Sequence, residues 1–149
     1  MTSRSDGFTL IELLIVLAIM VATGVLFAAY LGTGRASAEL RAASRELAAA
    51  LNETRSVAVA QNRIAAVTLD PTAHLYRDAR QAHRIPAQLS LAWRGLVPAG
   101  DGRSAAIYFF PDGSSSGGEI EFVAGHAREA VSVDWFTGRA SADANAESP

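Results

Sequence analysis

At 149 residues the chain carries 15 acids against 13 bases, all arginine, for a net charge of −2, so it lacks the basic surplus of a nucleic-acid binder. It has no cysteine, which excludes disulfides and thiolate zinc sites. Its length allows one small soluble core once an apolar N-terminal run is set aside.

That run extends from Phe8 to Gly34, 27 residues among which Glu12 alone is charged. A helix of this length covers roughly 40 Å, against a hydrocarbon core of about 30 Å. Fourteen residues between Phe8 and Leu31 are Leu, Ile, Val or Phe. Together they favour insertion by roughly 4 to 8 kcal/mol, whereas an acid at the bilayer centre costs about 2.5 to 3.5 kcal/mol and less near an end. Insertion wins, but a carboxylate out of water must take a proton or find a cation. The span holds none. A cut between Gly7 and Phe8 would create one, an α-amino group four residues before Glu12. In a staggered helical stack, Glu12 of one subunit would neutralise the Phe8 amine of another and set the register.

The hexapeptide Gly7-Phe8-Thr9-Leu10-Ile11-Glu12 resembles the processing site of type IV prepilins and type II secretion pseudopilins. The resemblance implies a leader of residues 1–7, cleavage between Gly7 and Phe8 by a membrane prepilin peptidase, and N-methylation of Phe8. It also implies that Glu12, at the fifth mature position, is the assembly residue. A secretory signal would have an h-region of about 7 to 15 residues and a small-x-small cleavage site. The run here is longer and contains an acid. A plain anchor would account for the length and leave Glu12 unexplained. Arg4 in the short polar leader favours a cytoplasmic N-terminus, although Arg35 on the other flank weakens that bias.

From Arg35 the sequence turns to Ala, Glu and Arg, with Leu40, Ala43, Leu47, Leu51, Thr54 and Ala58 at helical spacing. Residues 35–62 are expected to continue the membrane helix 8–34, with Gly24 and Gly32-Thr33-Gly34 as weak points. The leucine stripe is expected in the core, and Arg41, Arg45 and Arg55 on a solvated face. Beyond Asn62 the period becomes alternating. Strands are expected at Ile64–Asp70, Ala73–Arg77, Gln88–Trp93, Ala105–Phe110, Glu119–Val123 and Ala130–Phe136, the last with Val131, Val133 and Trp135 on one face. Asp78–Pro86 and Pro98–Arg103 read as loops. The Gly- and Ser-rich segment Asp112-Gly113-Ser114-Ser115-Ser116-Gly117-Gly118 reads as a hairpin turn between Ala105–Phe110 and Glu119–Val123. Residues 140–149 read as a flexible tail.

The expected fold is α+β, a long N-terminal helix, membrane-spanning in its first half, packed on an antiparallel sheet over residues 63–139. Phe109 to Gly118, with Val133-Asp134-Trp135 and Thr137-Gly138-Arg139, resembles the C-terminal half of the group of minor pseudopilin H and minor pilin T. This resemblance implies a structural subunit at or near the tip of a pseudopilus, with its sheet domain in the periplasm. Its implied partners are the prepilin peptidase, the inner membrane, and other major and minor pseudopilins. The alternative it carries is a type IV minor pilin active in pilus assembly or DNA uptake. There a Gly-Arg-x-Arg element grips DNA, but the corresponding Gly138-Arg139-Ala140-Ser141 lacks the second arginine, and the net charge opposes a nucleic-acid partner.

The loop 112–118 could instead touch a partner. As a phosphate cradle it lacks Gly-Lys-Ser or Gly-Lys-Thr opening a helix. As a nucleophile elbow, Gly113-Ser114-Ser115-Ser116-Gly117 is followed by a strand where a helix is required. His74, His83 and His126 show no metal-ligand spacing, and no carboxylate pair suits acid–base work, so no catalytic residue, metal or cofactor is expected.

Overall fold

The computed structural model describes residues 9–100 and 102–143, for 28–36 without side chains. The expected leader, Phe8 and residues 144–149 lie outside the described residues. Two compact units emerge, Met1–Ala36 and Ser37–Pro149.

Helix α1 runs Leu10–Ala60 and is unbroken at Gly24 and at Gly32-Thr33-Gly34. Its start follows from Thr9, whose carbonyl accepts from the Glu12 and Leu13 amides at 3.1 and 3.3 Å. Within the first unit, Leu10–Phe27 is long and apolar enough to cross a membrane, and none of it is buried. Thr23 satisfies its hydroxyl within the helix, donating to the Ile19 carbonyl at 2.8 Å.

Among its described residues the second unit contains Ser37–Ala60 of α1 and nine strands: β1 Ala65–Asp70, β2 Leu75–Arg77, β3 Ala82–Arg84, β4 Ser90–Arg94, β5 Val97–Ala99, β6 Ser104–Phe109, β7 Gly118–Ala124, β8 Ala127–Val133 and β9 Ala140–Asp143. They form two antiparallel sheets, ordered β3-β2-β1-β6-β5 and β4-β7-β8-β9. The fold is therefore α+β, as expected, with two sheets where one was expected.

The helix stripe is core. Leu47, Leu51 and Ala58 are fully buried, Leu40 and Thr54 nearly so. The three leucines and Ala58 share one cluster with Val67, Leu69, Ile107, Phe109, Ile120, Phe122, Val131 and Val133, drawn from both sheets. The buried hydroxyls of Ser44 and Thr54 donate to the carbonyls four residues back, at 3.0 and 2.8 Å, so neither leaves an unmet donor in the core.

Several sequence expectations are corrected. Ala105–Phe110 and Glu119–Val123 are not hairpin partners: β6 pairs with β1 and β5, whereas β7 pairs with β4 and β8. The glycines of the connection let it cross between sheets. The expected loops at 78–86 and 98–103 contain β3 and the end of β5, short edge strands whose backbones pair although their side chains carry little apolar pattern. Pro98 is tolerated because β5 is an edge. The tail does not begin at 140. Ala140–Asp143 is β9, paired to β8 and held to α1 by Asn52, whose amide donates to the Ala140 carbonyl at 2.9 Å while its oxygen accepts the Ala140 amide at 3.1 Å.

Chemical denaturation should rank these contacts. Leu51→Ala should cost about 3 kcal/mol through the cavity it leaves, whereas exposed Arg45→Ala should stay within about 0.5 kcal/mol. Asn52→Ala should fall between them, at about 1 to 3 kcal/mol, because it strands two backbone groups of β9. Equal midpoints for Leu51→Ala and Arg45→Ala would contradict the placement of the stripe.

Candidate functional site

Two regions carry the sequence-predicted residues, one in each unit. In the first, Gly7 and Phe8 lie outside the described residues. Glu12 occupies the first turn of α1 and is exposed. Thr9 Oγ1 accepts the Glu12 amide at 3.4 Å, and Thr9-Leu10-Ile11-Glu12 has the Thr-x-x-Glu pattern of a capping box. A carboxylate there also complements the positive end of the helix dipole. This signal was present in the sequence and went unread.

In the second unit, the segment 112–118 is a seam between the sheets. Gly113, Ser115 and Gly117 are buried and only Asp112 is exposed. Ser115 donates its amide to the Trp135 carbonyl at 2.8 Å and its hydroxyl to the Asp134 carbonyl at 3.1 Å. Ser116 and Tyr108 exchange two bonds, Ser116 N–H to the Tyr108 carbonyl at 2.8 Å and Tyr108 N–H to Ser116 Oγ at 3.0 Å. With its hydroxyl also accepting from Gly117 N–H at 3.0 Å, Ser115 meets no base among the described residues that could activate it.

Arg55 closes the seam. It was expected on a solvated face, yet it is half-buried, and its Nε donates to the Gly113 carbonyl at 2.9 Å. The backbones of Gly113 and Gly138 meet beside it. Gly138 has φ +63, and a Cβ there would overlap the Gly113 oxygen and lie 2.9 Å from Arg55 Nε. Glycine is required there by space as well as by φ.

Trp135 departs from expectation. Strand β8 ends at Val133, and Asp134 starts a turn in which its Oδ1 accepts from the Phe136 and Thr137 amides at 3.1 and 2.7 Å. The alternation therefore stops before Trp135. Trp135 and Phe136 stand 67% and 70% exposed, edge to face with centroids 5.6 Å apart. With Arg55, Asp112–Ser115 and Thr137 they line an open cleft of about 520 Å³. The amide of Thr137 and then its hydroxyl hold the Asp134 carboxyl below its usual range, and the Ser114 hydroxyl and amide do the same for Asp112.

A third cluster was missed because it joins distant positions. His83 on β3 lies between two carboxylates, Nδ1 3.1 Å from Glu46 on α1 and Nε2 2.9 Å from Asp78, and stacks on Tyr76 at 4.7 Å. Burial alone would lower the His83 pKa. The bonds to Asp78 and Glu46, with their charges, outweigh it and raise the pKa above 6.5. Burial likewise opposes the Asp78 shift, but the Gln81 and Arg80 amides and His83 lower it. Among the described residues no group of side chains has the composition of a metal site.

An apolar helix headed by Glu12, ahead of a half-helix buried on antiparallel sheets, defines a pilin-like protein. A model of the prokaryotic N-terminal methylation motif matches residues 2–27, and one described as type II transport protein GspH matches residues 43–138. The chain belongs to the GspH family. It is 35% identical over 134 residues to the type II secretion system protein H of Xanthomonas campestris pv. campestris, spanning 89% of this chain and 79% of that one. The fold is similar to the minor pseudopilin EpsH from the type 2 secretion system of Vibrio cholerae, with TM-score 0.58 and 12% identity over 73% of this chain and 99% of that one. It is also similar to the type IV minor pilin FimU of Pseudomonas aeruginosa, with TM-score 0.58 and 18% identity over 75% and 93%. These two likenesses concern the fold alone.

Two measurements test the second unit. Gly138→Ala should destabilise the protein by on the order of 3 kcal/mol in chemical denaturation, by forcing the seam apart. The His83 cluster gives stability that is complete below pH 6.5 and lost as pH rises through the higher folded-state value. Asp78 gives stability present above pH 3.8 and lost as pH falls through its lowered value. Thermal melts across pH 6 to 9 should show a decline that His83→Gln flattens. An equal decline in the variant would exclude the cluster as its source.

Proposed function

We propose that this chain is a minor pseudopilin of the type II secretion system, a structural subunit with no catalytic role. The observation that supports this reading most is the presence in one chain of an N-terminal methylation motif over residues 2–27 and a GspH match over 43–138. In this reading prepilin peptidase cuts between Gly7 and Phe8, Phe8 is methylated, and residues 8–34 anchor the subunit in the inner membrane with 63–139 in the periplasm. Other major and minor pseudopilins then assemble with it into a filament, at or near whose tip it helps to move proteins across the outer membrane.

The mechanism is electrostatic. The apolar surface of Leu10–Phe27 favours lipid or neighbouring helices, and within either medium the Glu12 carboxylate is costly while unpaired. An adjoining subunit's Phe8 amine removes that cost only when the stagger is right, so the pair selects register as well as partner. The seam loop 112–118 contributes its exposed residue, Asp112, to the surface available to other subunits.

The type IV minor pilin reading has the FimU likeness in its favour, at the level of fold. DNA binding is disfavoured locally, because Arg139 follows closely on Asp134, whose carboxyl stays charged well below neutral pH.

Mass spectrometry of the protein from its own host should find residues 1–7 removed and Phe8 methylated. An intact leader in the working form would overturn the reading. Glu12→Ala should lower co-purification with candidate pseudopilins by at least about tenfold, the equivalent of roughly 1.4 kcal/mol. Unchanged partners would remove the role assigned to Glu12.

A further inference from the structure

Residues 78–88 are tied to α1 by three acids spaced seven residues apart. Glu53 pairs with Arg80 at 2.6 Å, Glu46 with His83 at 3.1 Å, and Glu39 accepts from the side-chain amide of Gln88. Seven residues are close to two helical turns, so the acids stand in one row about 21 Å long. Ile85 and Leu89 are buried and root the end of the segment in the core, and the Ile85 amide donates to the His74 carbonyl at 2.8 Å. The part before them has no such root. From Asp78 to Arg84 the apolar residues are Ala79 and Ala82 alone, and the backbone pairs only through β3, three residues at the edge of a sheet. A cleft of about 170 Å³, lined by Ala42 and Ala43 of α1 and by Tyr76 and Arg84, lies at its base. Few apolar contacts and a short edge pairing are the marks of a segment that opens before its domain unfolds.

Charge decides when the middle tie holds. Both ring nitrogens of His83 face carboxylates, Nδ1 that of Glu46 and Nε2 that of Asp78 at 2.9 Å. Carboxylates only accept, so the pair of bonds requires the imidazolium, and a neutral ring can donate just one. Asp78 belongs to the same turn as His83: its Oδ1 accepts the Arg80 and Gln81 amides at 2.7 and 2.8 Å, and its side chain is 7% exposed. The Glu46 side chain is 61% exposed and turns readily to water. The bond given up is therefore the one to α1. The other charged side chains around the ring do not replace it, since Arg80 is paired with Glu53 and exposed Arg84 is itself a cation. Tyr76 stacks on the ring from β2 and stays neutral, its pKa pushed up by burial, then by Glu46 and Asp78. Its hydroxyl is buried and has no hydrogen-bond partner among the described residues, so lifting the segment lets water satisfy it.

We propose that residues 78–84 form a flap that is closed on α1 while His83 is protonated and lifts when the proton leaves, uncovering Tyr76 and the edge of β2. The closed flap holds the proton more tightly than the open one, so its closure is fully supported below pH 6.5 and loses that support as pH rises through the higher folded-state value. The tie between Arg80 and Glu53 joins two side chains 69% and 48% exposed and adds little of its own. His83 is the trigger, and Ile85 is the hinge.

The test is hydrogen exchange of the full-length protein in detergent micelles, read by mass spectrometry at pH 6 and pH 9 and corrected for intrinsic rates. Peptides within 78–85 should be at least about threefold less protected at pH 9 than at pH 6. At both pH values they should be at least about a hundredfold less protected than β7 and β8, because the flap opens without the domain. His83→Gln should erase the difference between the two pH values, since glutamine does not titrate. Glu46→Gln keeps an acceptor and removes the charge, so it should loosen the flap at pH 6 while leaving β7 and β8 protected. Flap protection equal to that of β7 and β8 would mean that the segment opens only with the whole domain, and would overturn the flap. A fall between pH 6 and pH 9 that persists in His83→Gln would overturn His83 as the trigger. Unchanged flap protection in Glu46→Gln at pH 6 would overturn the tie to α1.

Discussion

Two sheets that share no strand pairing are made into one body by a single helical stripe. Leu47 and Leu51 are fully buried among side chains from β1 and β6 on one side and β7 and β8 on the other. Neither sheet could bury its inner face on solvent, and the largest, a five-stranded sheet with three-residue strands at both edges, has little cohesion of its own. The helix therefore comes first in the logic of the fold. Its period of 3.6 supplies one apolar wall, and each alternating strand supplies a face to cover it.

The same α1 is built for two solvents. From Leu10 to Phe27 the apolar residues surround the helix and none is buried, whereas from Leu40 to Ala58 the leucines lie on one stripe and are all covered. A helix that is apolar all round belongs in lipid or among other helices, and a one-sided helix belongs on a domain. Glu12 is the exception in the first stretch. Its place in the first turn gives it a favourable helix dipole and a capping position, both of which lower the cost of a carboxylate there without cancelling it. The remainder is available as a driving force for pairing with a cation.

What could be read from the sequence was what repeats with a period. Leu40, Leu47, Leu51, Thr54 and Ala58 declared their face, as did Ile120 and Phe122, because burial forces the same spacing that the backbone sets. Glu12 declared itself by being the lone charge in an apolar run. The edge strands Ala82–Arg84, Val97–Ala99 and Ala140–Asp143 did not, since three or four residues at an edge are recruited by a neighbour's backbone and need no apolar pattern. Trp135 was misplaced for a local reason: a period-2 reading continues until something stops it, and the Asp134 turn is what stops it. Asn52, Arg55 and His83 were illegible for the opposite reason. Asn52 and Arg55 find partners 88 and 58 residues away, and His83 reaches Glu46 across 37, and nothing local marks such a contact.

Arg55 shows how much of the domain's surface depends on those distant contacts. Its Nε holds the Gly113 carbonyl, and the Gly138 backbone fits against that carbonyl only because it has no Cβ. The two glycines thus bring together the turn after β6 and the turn after β8, one from each sheet. Ser115 then joins the same two turns by its amide and its hydroxyl. A crossing built from backbone groups leaves no apolar side chain to fill the space above it, and the residues that follow Asp134 in the chain are carried outward. The exposure of Trp135 and Phe136 is therefore a geometric consequence of how the sheets are stitched. Hydrogen bonds on both sides fix the stitch, and with it the backbone that carries the two rings at the surface.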